Sequence, residues 1–552
     1  MEAERYEAAA LSSAAASYGS SESVEDTHSE STGKKAFTSS GMPCTYSLTG
    51  FANFIKSHPL QLFVTLIFLL LGFGRKLFSN AFSIDTEEII SRPNELYHSW
   101  IALERFGLIA LKRLTGTYWY NNSLASALMV LFLALSALTW SYLVCGLREV
   151  GKFDVLAFSV PFVASPILAE MLGFLLVGPE VAMALAMVAT ALMWVWNGIV
   201  RRQWGWLAAG ALLAAAAFSL YLAMATIFVL GTAFIIFCQD SDRNSVKSLW
   251  RHTGLFALVF IVAYALYAMA NKFVMSSMHI GTDPYIDNQS RWGKSSLSII
   301  VGDLFKHAKD IYTGTGLYYT KFFTILCPVF LAVTIILVCR RRISLSCFLI
   351  AAMITLSPIM MAVILGGEAS VRTEMTYTLA FAFMIKIILG QLPDAYLSSV
   401  VSLVVIIVIG CNQAFIVNRI FYTEDMVFEK DVAKAQAYVD KLDKFSGPKG
   451  SDGKTVVFIG NSPVDQNPSM LAQDSLIYTG RSVLSIGYST LHGTWVKDGF
   501  ITATVGRKYV FPSNRQIQQA EKWSSTMHSW PSQDSVSQMP DGTLVVKLSE
   551  VV

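Results

Sequence analysis

Charge is scarce in this sequence. Asp, Glu, Lys and Arg make up 15% of its 552 residues, against about 25% in an ordinary soluble domain. Together with 53% hydrophobic residues and a mean hydropathy of +0.49, this excludes a soluble globular protein and leaves a chain that lives in lipid. Net charge is only +3, so the basic excess that a nucleic-acid partner requires is missing. The seven cysteines (Cys44, Cys145, Cys238, Cys327, Cys339, Cys347 and Cys411) contain no C-x-x-C and no regular framework, so neither disulfides nor a metal cluster is expected. The eight histidines are scattered, with no H-x-x-x-H pair. A nucleotide phosphate loop is absent too: Gly314-Thr315-Gly316 has Tyr319 where the third glycine of G-x-G-x-x-G belongs, and no strand pattern precedes it. No cofactor is expected.

Long apolar runs are what the chain does have. Taking about 17 to 25 residues as the length that crosses a bilayer, spans fall near 59–76, 123–145, 153–169, 180–200, 206–219, 221–238, 254–274, 322–339, 344–365, 375–390 and 397–417. Eleven spans put the two ends of the chain on opposite sides. Residues 1–50 are rich in Ser, Ala and Glu without apolar periodicity, which reads as a disordered tail, and Lys34, Lys35 and Lys56 ahead of the first run place it in the cytoplasm. Arg148 with Lys152, Arg201-Arg202, Arg243 with Lys247 and Arg251, and Arg340-Arg341-Arg342 then fall on the same cytoplasmic side. The expected fold is a polytopic α-helical membrane protein: a membrane domain over 51–418 with long outer loops at 77–122 and 275–321, then a small extracytoplasmic α/β domain over 419–552. In that last part, 424–445 and 513–526 read as helices, and Thr455–Ile459, Ser482–Ile486 and Thr543–Leu548 as strands. Short inner loops and long outer ones set the working face outside, away from cytoplasmic nucleotides.

Ser83-Ile84-Asp85-Thr86-Glu87-Glu88 places three carboxylates just beyond the first span, at the expected membrane surface. Ionisable groups at such a position are costly and are functional candidates by default. The structural alternative is a helix start, with Ser83 or Asp85 as N-cap and Glu88, three residues after Asp85, completing a capping box. Residues 95–114 carry apolar side chains at alternating spacings of four and three, the pattern of one amphipathic helix lying along the interface. On it His98, Arg105 and Lys112 recur every seven residues and share a face, either simply solvated or set to guide a lipid phosphate. Arg372 lies in the short outer loop Gly366–Glu374, where its alternative is an ion pair with Glu368 or Glu374. Glu170 and Glu180 occupy the second outer loop, as sugar-hydroxyl acceptors or as acids reaching from a helix end. Arg291-Trp292-Gly293-Lys294 interleaves aromatic and cationic groups suited to a sugar and a phosphate, and equally to an interfacial belt. Asp283 and Asp287 nearby are two acids without further ligands, which does not indicate a divalent-cation site.

The order of these segments is similar to a known family. S-I-D-T-E-E-I-I followed by E-R-F-G-L and L-K-R-L, then S-P-I-L-A-E-M-L-G-F at 165–174 and G-G-E-A-S-V-R-T at 366–373, resembles the Gtr-type glucosyltransferases of the GT-C class, which modify O-antigen and related surface polysaccharides. The resemblance runs from about residue 51 to the end. It implies a polyprenyl-phosphate-linked sugar donor in the outer leaflet, a surface-polysaccharide acceptor, and inverting transfer by one general base. Under that reading Asp85 is the first choice of base, with Glu87 and Glu88 as alternates. Arg372 stabilises the leaving phosphate, and Arg105, Lys112, Glu170, Arg291 and Lys294 supply further donor contacts. A transporter of lipid-linked sugars is the main competitor, disfavoured by the lack of a visible internal repeat. A non-catalytic subunit of envelope assembly is the other.

Overall fold

The computed structural model describes residues 45–147, 151–239, 246–281, 290–447, 450–462, 482–487 and 489–550. The N-terminal tail through Cys44, Arg148, Arg243 and the Asp283–Asn288 segment lie outside the described residues.

Among the described residues, seven helices are long and apolar enough to cross a membrane, and an eighth candidate is the pair Asp154–Val163 and Pro166–Leu172, bent by 46°. Pro166 at the first position of the second helix explains the bend, since its ring cannot follow a preceding helical turn. Three shorter apolar helices, Trp204–Leu220, Met224–Gln239 and Met375–Leu389, coincide with the remaining predicted runs. Each predicted run thus lies on helix, and the chain is a polytopic helical protein of the membrane type. Helix Gly178–Arg201 is central: 72% of its apolar window is buried within the protein, against 22% for Leu249–Met278, which faces outward. Its neighbours approach closely where side chains are small. A Cβ on Gly210 would stand 2.6 Å from Val195 Cγ2, and one on Gly231 2.3 Å from Leu192 Cδ1. A further helix, Asn122–Cys145, is tied to it by polar side chains, Ser136 Oγ donating to the Ala182 carbonyl and Trp140 Nε1 to that of Leu185.

The last apolar helix does not stop at the expected boundary of 418. Tyr396–Ser446 is one continuous helix of 51 residues, about 77 Å long at 1.5 Å per residue. Its polar half carries the C-terminal unit, whose sheet runs β1 (Val456–Ile459), β3 (Leu544–Lys547), β2 (Val536–Gln538), with β1 parallel and β2 antiparallel to β3. Helix Asn514–Trp523 begins with a capping box between Ser513 and Gln516. The sheet is buried on both sides, all four residues of β1 and of β3 being inaccessible. This unit packs on the segment after the first apolar helix: Phe82 meets Phe428 and Phe500 with ring centroids 4.9 and 5.7 Å apart. Lys76 and Glu424 form a buried ion pair at 2.7 Å, and Arg75 pairs with Asp425 at 2.6 Å.

Two predicted elements come out differently. The single helix expected over 95–114 is two, Pro93–Ala102 and Phe106–Thr115, broken where Glu104 adopts φ 62°. The break is held from outside: Tyr267 donates its hydroxyl proton to the Glu104 carbonyl and carboxylate at 3.2 and 3.3 Å. Gly107 lies so close to Ser219 that a Cβ would fall 2.0 Å from its Oγ, which seats the second helix against Trp204–Leu220. Ser482–Ile486 is not a strand but the 3-10 turn Val483–Ser485. The Asp431 carboxylate accepts from Ser482 Oγ at 2.8 Å and from the Leu484 amide at 3.3 Å, which satisfies groups that a ladder would otherwise have used.

Candidate active site

The acidic stretch forms the short helix Thr86–Ser91, with Asp85 at its N-cap in the left-handed region, φ 72°. A non-glycine residue there is uncommon, though Asp is one of the types that tolerates it. The capping alternative does not hold, because the Asp85 side chain makes no cap hydrogen bond. The residue as a whole is half-buried. Burial lifts its pKa, while the guanidinium groups of Arg105 and Arg372 pull it back down. Asp85 is thus within electrostatic reach of two cations from segments 20 and 287 residues further along the chain. Arg105 reaches this position because the chain breaks at Glu104, and its guanidinium also lies over the Tyr221 ring at 5.6 Å. Arg372 is held in the 3-10 turn Val371–Thr373. The anchor of that turn is the next acid, Glu374, which is fully buried and bonded to His307 Nε2 and to the Tyr319 hydroxyl.

Glu170 belongs to the same neighbourhood. It sits on helix Pro166–Leu172, which packs against the Val371–Thr373 turn, and it accepts from the Tyr318 hydroxyl at 2.6 Å. Lys112 is placed differently. Its Nζ donates to Glu180 Oε1 at 2.7 Å in a buried pair, so Glu180 is no acid reaching for water and the lysine charge is already met. Arg291 and Lys294 are exposed, on a turn that folds over Gly366 and Gly367. There Arg291 pairs with Asp303, and Trp292 Nε1 donates to the Val363 carbonyl at 3.0 Å.

The other two acids of the cluster face the C-terminal unit. Glu87 is 2% exposed, its Oε2 meets no donor, and burial with the neighbouring Asp85 charge pushes its pKa well up. It packs on helix Thr490–Thr504 at Gly499, where a Cβ would come within 3.1 Å of Glu87 Cγ. Glu88 has its pKa raised to about 7, by burial first and the Asp85 charge second; Arg92 and a hydrogen bond from the Trp495 side chain act the other way. Trp495 is in turn sandwiched, with the Arg92 guanidinium 3.5 Å from its ring centroid and Phe511 edge-on at 4.9 Å. Arg92 also donates to the Trp495 carbonyl at 3.0 Å and pairs with Asp498 at 3.4 Å.

Sequence reading did not find Trp495, His307 or Tyr319. No spacing ties them to residue 85 or 372, and only the folded chain shows the contacts. Among the described residues no group of three or more His, Cys, Asp or Glu side chains is placed to hold a metal ion.

Three adjacent carboxyls titrate as a set, not singly. A carboxyl within electrostatic reach of two arginines, with a tyrosine-bonded glutamate in the same neighbourhood, can accept a proton while an anion leaves. Because the Trp495 N–H favours the charged form of Glu88, Trp495→Phe should raise the Glu88 pKa above about 7. The acid limb of kcat/KM should then move up by about one to two pH units, a hydrogen bond to a charged group contributing about 1.5–3 kcal/mol. A pH–rate profile of the two proteins measures this, and superimposable limbs would exclude Glu88 from the titrating set.

A family model described as Glucosyl transferase GtrII matches residues 74–387, a stretch that holds Asp85, Arg105, Glu170 and Arg372 and ends before Trp495. No curated protein and no solved structure matches the chain.

Proposed function

The chain belongs to the GtrII glucosyl transferase family, and from that premise we propose that it transfers glucose from a polyprenyl-phosphate donor to a cell-surface polysaccharide on the extracytoplasmic face of the membrane. That it is a glycosyltransferase follows from the family; donor, acceptor, sidedness and mechanism are the proposal. The observation that carries it is the half-buried Asp85, whose carboxyl lies within electrostatic reach of both Arg105 and Arg372. Inverting transfer needs one base to take the acceptor hydroxyl proton as the anomeric carbon loses its phosphate. It needs no general acid, since the leaving group is already an anion, and fixed cations are the better aid. Asp85 is the base in this reading, and Arg105 and Arg372 hold the phosphate. Glu170 accepts from a sugar hydroxyl, Arg291 and Lys294 meet the approaching headgroup, and Glu87 and Glu88 set the charge around Asp85.

The remaining apolar helices fit the same picture. With the bent pair and the three shorter helices each crossing once, the chain spans the membrane eleven times, and the C-terminal unit lies on the side of the acidic helix that it touches. That unit then closes the site through Trp495 and Gly499. The direct test is to offer purified protein polyprenyl-phosphate sugars and a nucleotide sugar with surface glycan as acceptor. Transfer from polyprenyl-phosphate glucose alone is the expected result; transfer from the nucleotide sugar alone would overturn the reading.

A further inference from the structure

Beside the acidic helix is a second polar feature that the proposed chemistry leaves unused. A cleft between helix Phe106–Thr115, the stretch 117–121 and the start of helix Gly178–Arg201 is lined by Ile89, Lys112, Trp119, Tyr120, Leu175 and Glu180. Ile89 is one helical turn after Asp85, its amide bonded to the Asp85 carbonyl at 3.2 Å, so cleft and acid cluster share an element. Lys112 and Glu180 are 6% and 8% exposed and pair through one carboxylate oxygen only. The other, Glu180 Oε2, is buried with no donor to meet it.

A carboxylate oxygen left without a donor in such a place is costly, on the order of 1–3 kcal/mol or more. What satisfies it is constrained by charge. An anion would meet the free carboxylate oxygen, and the lysine charge that might attract it is already neutralised. A cation would meet the ammonium. A neutral hydroxyl suits both groups, donating its proton to Oε2 and accepting from Nζ, which has three protons to give. The enclosed space is about 30 Å³, enough for one hydroxyl or one water, roughly 10–15 Å³ being the minimum for a water, and too little for a sugar ring. A ring must therefore rest at the mouth, where the Trp119 side chain is 59% exposed and presents an aromatic face. Such a face suits the C–H side of a pyranose.

We infer that this cleft is a saccharide subsite in which one ring hydroxyl bridges Lys112 and Glu180 while the pyranose lies against Trp119. That the hydroxyl compound is a sugar rests on the transferase reading above; the polar geometry does not. The sugar is either that of the donor or one residue of the acceptor.

The full-length protein in nanodiscs, titrated with methyl β-glucopyranoside by saturation-transfer NMR, tests the subsite without any need for turnover. Saturable binding is expected, weakened at least tenfold in Trp119→Ala and in Glu180→Gln. Displacement of the glycoside by polyprenyl-phosphate glucose would assign the subsite to the donor sugar, and retention to the acceptor. If Glu180→Gln does not insert, the exposed Trp119 still decides the matter. No saturable binding to the unmodified protein, or equal binding by Trp119→Ala, would overturn the inference. Because the readout is binding, an enzyme that transfers sugar but binds the glycoside equally well as Trp119→Ala loses only the subsite. Trp119-dependent binding with no transfer from any lipid donor removes only the transferase mechanism.

Discussion

Asp85→Asn should lower kcat by about a hundred- to ten-thousand-fold, the usual contribution of a general base, while expression and membrane insertion stay as they are. Insertion should survive because the Asp85 side chain caps nothing, so an isosteric amide removes no structural hydrogen bond from the helix start. Transfer of labelled glucose from the lipid donor measures it. Glu87→Gln should cost much less, since Glu87 is buried and burial with the neighbouring Asp85 charge favours its neutral form, which the amide resembles. Full activity in Asp85→Asn would shift the base to Glu88, which titrates at about 7. Silence at all three acids would refute base catalysis from this helix.

Arg372→Ala should reduce kcat by about a hundred- to a thousand-fold, the range seen when one donor to a developing anion is removed. Arg372→Lys should fall between the two, since a lysine restores the point charge and loses the planar fork that grips two phosphate oxygens at once. The substitution has a second signature. Arg372 is one of two cations that lower the Asp85 pKa against burial. Its removal therefore raises that pKa, and the acid limb of the rate profile moves to higher pH, so less enzyme has its base free at neutrality. Arg105→Ala should do the same. Equal kcat in Ala, Lys and unmodified proteins would take Arg372 out of the site.

The membrane architecture is legible in the sequence because lipid imposes a length: a run of apolar residues has few other places to go. The acidic cluster is legible for a related reason, since three carboxylates beside a span stand out against so little charge. What does not show is anything set by a distant partner. The broken helix at Glu104 depends on Tyr267, and the turn at Val483 on Asp431. A regular spacing of basic residues puts Lys112 in line with Arg105, but the break turns one toward Asp85 and a glutamate 68 residues away claims the other. Arg372 is found from its place in a tight loop; that it and Arg105 act on the same carboxyl is a property of the fold. The part played by Trp495 is the least visible, because it arrives on a separate unit through a helix that carries no motif.

The account depends on the acidic helix facing the extracytoplasmic water, where a lipid-borne donor can reach it. The exposed Ile90 lies between Glu88 and the end of that helix, and Arg341 lies in the basic turn after helix Lys321–Cys339. In a background with Cys44, Cys339 and Cys411 changed to Ser, Ile90→Cys should react with a membrane-impermeant maleimide on intact cells, and Arg341→Cys only after permeabilisation. The reverse pattern, Ile90→Cys protected until the membrane is opened, would contradict the proposed chemistry at its root.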